Sequence, residues 1–350
     1  MIKKNRFLTI GLIGLTLSFS QAYAANKKIK IGWVFAMANA PVVIAQQKGF
    51  YKEVGLDAEI ISFTSGPIVH QALAAGQLDM AYIGSPPVYH WYSRGLKSKI
   101  LAKVNYGQAA VVARKDSGIN NIKDLKGKKL AGVKKGSGMD VLLRGYVLGE
   151  ANGLNPDTDL RIVPMPSGNM GPSVESGTVD AAFMWEPFTS QSLLRGNTKV
   201  IFDMNEAVPK YPWFVVMSPP EFLKNNSDTV YKALKAHRMA VDYLNSGPEA
   251  GNEIIAQAFN LKDVVDDKGV THSAIDVVKV ARERIGWEWE LKEQDLAFVQ
   301  RLMDWSKDLR FIKRKLTPAE LVDVTLAKQL SDEIPENNIA KGTAFTDASN

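Results

Sequence analysis

Cysteine is absent from the 350 residues. That excludes disulfides, thiolate metal sites, cysteine nucleophiles and a lipid anchor on an N-terminal cysteine. Histidine is scarce, and His70, His90, His237 and His272 are scattered, with no HExxH pair, no GxSxG elbow and no metal-ligand spacing. Gly136-Ser137-Gly138 lacks the Lys and Ser/Thr that follow in a phosphate-binding P-loop. No Lys/Arg cluster carries interleaved aromatics, so nucleic acid is not an expected partner. With no nucleophile–base set and no metal set, the sequence predicts a protein that is not an enzyme and uses no cofactor. What is there is globular: 45% hydrophobic and 23% charged residues, with 14 Phe, 10 Tyr and 7 Trp. At roughly 150 residues per domain the length suggests two domains.

Long apolar runs are also lacking, with one exception at the start. Lys3, Lys4 and Arg6 precede an apolar stretch from Phe7 to Phe19, and Ala22-Tyr23-Ala24 has the small-x-small form of a cleavage site. A membrane anchor needs about 20 apolar residues, and this run holds two glycines and three Ser/Thr among 13 positions. Residues 1–24 are therefore expected to be a cleaved export signal. Its removal takes away three positive charges and no negative ones, lowering the net charge from +6 to +3.

From Lys27 onward short β-like runs alternate with helical stretches, the pattern of a largely parallel sheet covered by helices. Strands are expected at 30–34, 58–63, 80–83, 100–104, 109–113, 129–133, 160–163, 181–185, 200–202 and 213–217. Ser85 reads as the cap of a helix opened by Pro86, and Ser137 as the cap of a helix over 139–151. From Pro220 to near Ser331 the chain reads as amphipathic helices. An internal repeat organises the first two thirds. ALAAGQLDMAYIGSP at 72–86 matches SVESGTVDAAFMWEP at 173–187, so that Gly76, Asp79, Ala81, Tyr82 and Pro86 correspond to Gly177, Asp180, Ala182, Phe183 and Pro187. Two similar α/β lobes follow.

In an open α/β sheet, ligands bind outside the carboxyl ends of the strands. Nearly all of those turns here offer a Ser, Thr, Asn or Gly at a helix start, and helix starts present unpaired N–H groups and a positive dipole end to an anion. Taken singly, Ser65, Ser85 and Ser137 are ordinary caps. Their coincidence with Trp33, Phe35, Trp185 and Trp213 at expected strand ends points to a ligand site. Glu186 follows an apolar strand, where a carboxylate must find a cation. It is expected either to meet a ligand amine, or to cap its helix or pair with a nearby Lys or Arg.

The segments IAQQKGFYKEVGL (44–56), SGPIVHQALAAGQLDMAYIGSPP (65–87), NIKDLKGKKLAGVKKGSG (121–138) and VDAAFMWEPF (179–188) resemble the periplasmic substrate-binding proteins of ABC importers for sulfonates, nitrate and taurine, over roughly residues 27–251. The resemblance implies a type II-like, two-lobed flytrap with two crossovers, near 104–108 and 209–214. It assigns residues 25–105 to lobe 1, 106–212 to lobe 2, 213–335 to a helical second part of lobe 1, and 336–350 to a flexible tail. Its ligand contacts fall on Phe35 to Asn39, Ser65, Gly66, Gly84, Ser85, Ser137, Gly138, Trp185, Glu186 and Trp213. Related thiamine-precursor synthases depend on a cysteine-rich iron motif that this chain lacks. The expectation is a monomeric periplasmic receptor that hands a small anionic or zwitterionic ligand to ABC permease subunits. An organosulfonate leads, taurine-like if Glu186 meets an amine. Nitrate, or a heterocycle stacked between Trp33 and Trp185 or Trp213, is the alternative ligand. A ligand sensor without transport is the alternative class.

Overall fold

The alternation of apolar runs and capped helices builds two separate sheets. The computed structural model describes residues 26–247 and 249–333; the expected export signal and the tail from residue 336 lie outside them. The chain begins with β1 (Lys27–Val34), α1 (Ala40–Gln47), α2 (Phe50–Glu53), β2 (Leu56–Phe63), α3 (Gly66–Ala74), β3 (Met80–Gly84), α4 (Ser85–Tyr92) and β4 (Lys99–Lys103). It then runs through β5 (Asn105–Gly107), β6 (Ala109–Arg114), β7 (Lys129–Gly132), α5 (Gly138–Val141), a π-helix (Leu142–Glu150), β8 (Arg161–Pro164), α6 (Ser167–Glu175), β9 (Ala181–Trp185), α7 (Phe188–Leu194), β10 (Thr198–Asp203) and α8 (Met204–Ala207). The last part holds β11 (Phe214–Ser218), α9 (Pro220–Asn225), α10 (Ser227–Asn245), α11 (Glu249–Ala258), β12 (Val264–Val265), β13 (Thr271–His272), α12 (Ala274–Ala281), β14 (Ile285–Trp287), α13 (Glu293–Asp308), α14 (Pro318–Leu321) and α15 (Thr325–Glu333).

The first sheet has the order β2-β1-β3-β11-β4 and the second β10-β6-β9-β7-β8. In each, a central strand lies parallel to both neighbours: β1 between β2 and β3, and β7 between β8 and β9. The sequence repeat is visible in the bonding. Asp79 accepts from the Lys30 N–H at 2.8 Å, and Asp180 accepts from the Lys129 N–H at 2.8 Å. Each acidic turn thereby anchors the strand that runs parallel to both its neighbours, mid-strand in β1 and at the first residue of β7. Gly76 and Gly177 both close a helix at positive φ, +69° and +73°.

Between the sheets the chain crosses twice, and the two passes are hydrogen-bonded side by side. Trp213 N–H donates to Asn105 O, Gly107 N–H to Tyr211 O, and Phe214 N–H to Asn105 Oδ1. A third strand joins them, because β14 pairs antiparallel with β5. Gly107 permits this approach: it sits at φ +76°, and a Cβ there would stand 2.3 Å from Arg284 O.

One sequence expectation is corrected. The helix expected over 139–151 is only briefly α-helical before the π-helix, whose end is marked by Ala151 N–H donating to Tyr146 O. Gly145 and Gly149 weaken the α-helix there, and a Cβ at 145 would stand 2.5 Å from Trp305 Cγ, so α13 occupies the groove beside this segment. The C-terminal helices touch both lobes: α10 packs on α1 and α2, α15 on β4, α12 on α7, and α13 on both α4 and the π-helix. Lys103, fully buried at the end of β4, is neutralised by Glu288 at 2.6 Å and Asp295 at 2.8 Å, both from this last part. Among the described residues no helix is long and apolar enough to cross a membrane.

Candidate functional site

Where the carboxyl ends of β1, β2 and β3 face those of β7, β8 and β9, a cleft of about 610 Å³ opens between the lobes. Its first-lobe wall is Val34 to Ala36, Ser62 to Pro67, Gly84, Pro87, Trp213 and Phe214. Its second-lobe wall is Gln108, Val133, Lys134, Ser137 to Met139, Met165 to Ser167, Trp185 and Phe188. Eight of the expected residues therefore meet there: Phe35, Ser65, Gly66, Gly84, Ser137, Gly138, Trp185 and Trp213.

Their local roles differ. Phe35 is 49% exposed and leans on Trp33 and Phe259, with ring centroids 5.6 and 5.2 Å away. Trp185 meets Phe188 edge to face at 6.1 Å. Ser65 occupies the N-cap position of α3, yet its hydroxyl makes no capping bond. The Ser137 hydroxyl accepts from the Asp140 N–H at 3.3 Å, leaving its proton to donate. Gly138 lies close across the gap: a Cβ there would stand 3.3 Å from both Pro86 and Trp213 of the other lobe, a tight contact that a shift of a few tenths of an ångström would relieve.

Four expected residues do not line the cleft. Trp33 is buried behind it, 5.6 Å from the Phe35 ring and 5.8 Å from Phe259, so it backs the wall rather than forming it. Asn39 is fully buried and folds back to donate to Val34 O at 2.8 Å. Ser85 is buried, and its N–H is used by Trp213 O. Pro86 and Pro87 follow it without N–H groups, so the start of α4 has no amide left for an anion. Glu186 is fully buried in the turn that follows β9 and is not among the residues lining the cleft. Its Oε2 accepts from the Ser190 N–H at 3.1 Å, and Arg284 lies 3.8 Å from its Oε1. Of its expected partners it takes a helix-start N–H, that of Ser190, with Arg284 beside it. Burial pushes the Glu186 carboxyl up to about 7, against the lowering pull of Ser190 and Arg284.

The sequence reading missed Lys134 and Gln108. Lys134 is the only charged residue on the cleft wall among the described residues. It lies two positions beyond the end of β7, where strand-end reasoning extended by one turn would have found it. Gln108 sits on the first crossover at φ +108°, a strained value for a residue with a side chain, and it is 1% exposed with its Oε1 unpartnered. No carboxylate lines the cleft among the described residues, and none of them gather into a metal-holding cluster.

Two five-stranded sheets, two adjacent crossovers and an interlobe cleft define the two-lobed, type II-like periplasmic binding protein fold. The chain belongs to the NMT1-like family, whose model matches residues 22–260. It is 29% identical over 289 residues to a putative binding protein of Brucella abortus, covering 81% of this chain and 88% of that one. It is 26% identical over 313 residues to a putative aliphatic sulfonates-binding protein of Bacillus subtilis, covering 88% and 89%. In structure it is similar to the periplasmic aliphatic sulphonate binding protein SsuA of Escherichia coli, with a TM-score of 0.71 and 20% identity over 84% of this chain and 91% of that one.

Proposed function

We propose that this chain is the periplasmic solute-binding receptor of an ABC importer, acts as a monomer, and takes an organosulfonate with an apolar body, alkane or aryl, rather than taurine. One observation carries the ligand class: the cleft sets a single cation, Lys134, and hydroxyl-bearing helix starts beside aromatic walls, with no carboxylate among its described lining residues. The sulfonate oxygens face Lys134, Ser65, Ser167 and the unused N–H groups at the starts of α3 and α6, each worth ~0.3–1 kcal/mol to an anion. The apolar body lies among Phe35, Trp185, Phe188 and Trp213. An amine would enter this cleft without a counter-ion, and nitrate would leave the aromatic walls unfilled. The sulfonate name of the Bacillus relative agrees with this choice. Ligand touches both lobes only when they close, so its binding energy favours the closed form that the permease receives.

Calorimetry over a series from methanesulfonate to hexanesulfonate tests the reading. Each added CH2 is worth about 0.8 kcal/mol, so affinity rises roughly fourfold per methylene, with taurine and nitrate weaker than propanesulfonate. Taurine or nitrate binding more tightly than propanesulfonate overturns it. A second reading, a flat neutral heterocycle such as a pyrimidine vitamin precursor, is favoured by the unpartnered amide oxygen of Gln108 in the same cleft. It would stack on Trp185 or Trp213, Trp33 being out of reach. A heterocycle that outbinds every sulfonate would establish it.

A further inference from the structure

The end of the second-lobe sheet opposite the cleft collects cations. We propose that this end is a docking surface for anionic lipid headgroups, holding the chain loosely at a bilayer that carries phosphatidylglycerol. The inference does not depend on what the cleft binds.

The register of the sheet brings the residues together. Lys129, at the start of β7, stands beside Arg161, at the start of β8. Ala181, opening β9, pairs with Leu130 of β7 and Ala113 of β6, which places Arg114 and Lys115 at the same end. The chain from 115 to 128 is held there too. Lys115 N–H donates to Asn197 O, the Lys199 ammonium to Asn120 Oδ1 at 2.7 Å, and Gly127 N–H to Asp159 O at 2.6 Å. Lys115, Lys123, Lys126, Lys128, Lys129 and Arg161 are all exposed. Among the described residues only Lys126 of these six is ion-paired, with Asp159 at 3.7 Å.

The carboxylates at this end do not cancel the charge. Asp116 pairs with half-buried Arg114 at 3.0 Å, Asp124 accepts from the Asn120 and Asn121 N–H groups, Asp159 from the Asn155 N–H, and Asp180 from the Lys129 N–H. With Arg114 and Lys199 included, cations outnumber these carboxylates two to one. Asp267, beside Gly196, bounds the patch at the β10 edge.

The chemistry favours lipid over a folded partner. Protein interfaces centre on aromatic and apolar anchors and are poor in lysine. Here Ile119, Ile122, Leu125 and Leu160 are buried, and five of the six exposed cations are lysines. Long, unpaired lysines suit a fluid layer of headgroups, which presents charge without fixed shape. The cleft opens at the other ends of β7, β8 and β9, so its mouth stays clear while the patch is engaged.

The test is cosedimentation of the exported chain with vesicles of phosphatidylcholine, alone or mixed with phosphatidylglycerol, at low and high salt. The expected result is binding to the mixed vesicles alone, lost at high salt as screening requires. Lys123→Gln, Lys128→Gln and Arg161→Gln are expected to weaken it about fivefold each, the ratio that corresponds to about 1 kcal/mol per cation. Lys52→Gln, Lys224→Gln and Lys307→Gln remove exposed cations elsewhere and are expected to leave it unchanged. Should a variant fail to fold, the lipid and salt dependence of the wild type is read regardless. Equal binding to both vesicle types, binding that survives high salt, or equal loss from the two sets of substitutions would each overturn the proposal. No binding to the mixed vesicles overturns it as well, and leaves an acidic protein as the partner.

Discussion

Glu186 shows how one side chain can shape a cleft it does not enter. It is fixed behind Trp185 by Ser190 and Arg284, with Asp203 3.3 Å from Arg284. Its pKa of about 7 lies above the ordinary 4.5, burial being the main cause. The folded chain therefore binds this proton more tightly than the unfolded chain, and stability declines as pH rises from about 4.5 through about 7. Glu186→Gln removes that decline. The variant should gain on the wild type between pH 5 and pH 8 by up to about 3 kcal/mol in urea unfolding; an identical gap at both values would show that the carboxyl is not perturbed in this way. Trp185 and Glu186 also mark the limit of strand-end reasoning. It located the turn, but not which of the two neighbours lines the cleft, which is Trp185. Gln108 left no trace in the sequence, because a crossover has no periodicity to read. Lys134 sits in a KK pair of the kind that ordinarily reads as a solvated surface.

At the scale of elements, the repeat was the most legible feature. Gly76 with Gly177, and Asp79 with Asp180, stand at the same structural positions in the two lobes because the same strand-anchoring bond is made twice. The π-helix was not legible, since its cause lies elsewhere in the chain: Trp305 fills the space beside Gly145, and Trp305 Nε1 donates to Glu150 at 2.9 Å. Gly145→Ala would force the tryptophan out of its place. A loss of about 1–3 kcal/mol is expected from overpacking, together with a change in tryptophan fluorescence. A stability within about 0.5 kcal/mol of wild type would show that α13 is not held there.

For the whole molecule, the C-terminal part couples what the repeat alone would leave as two lobes on a flexible joint. Its contribution was invisible in the sequence because β14 is three residues long and pairs with a strand far earlier in the chain. Asp295→Asn tests the coupling. It removes one of the two carboxylates holding buried Lys103 and should cost about 3–5 kcal/mol. Adding Lys103→Met should recover much of that in a double-mutant cycle, and additive losses would reject the pairing.

The same pairing spans much of the chain. Lys103, at the end of β4, reaches Glu288 and Asp295, 185 and 192 residues further on. A chain cut before residue 288 would leave that buried ammonium without either counter-ion.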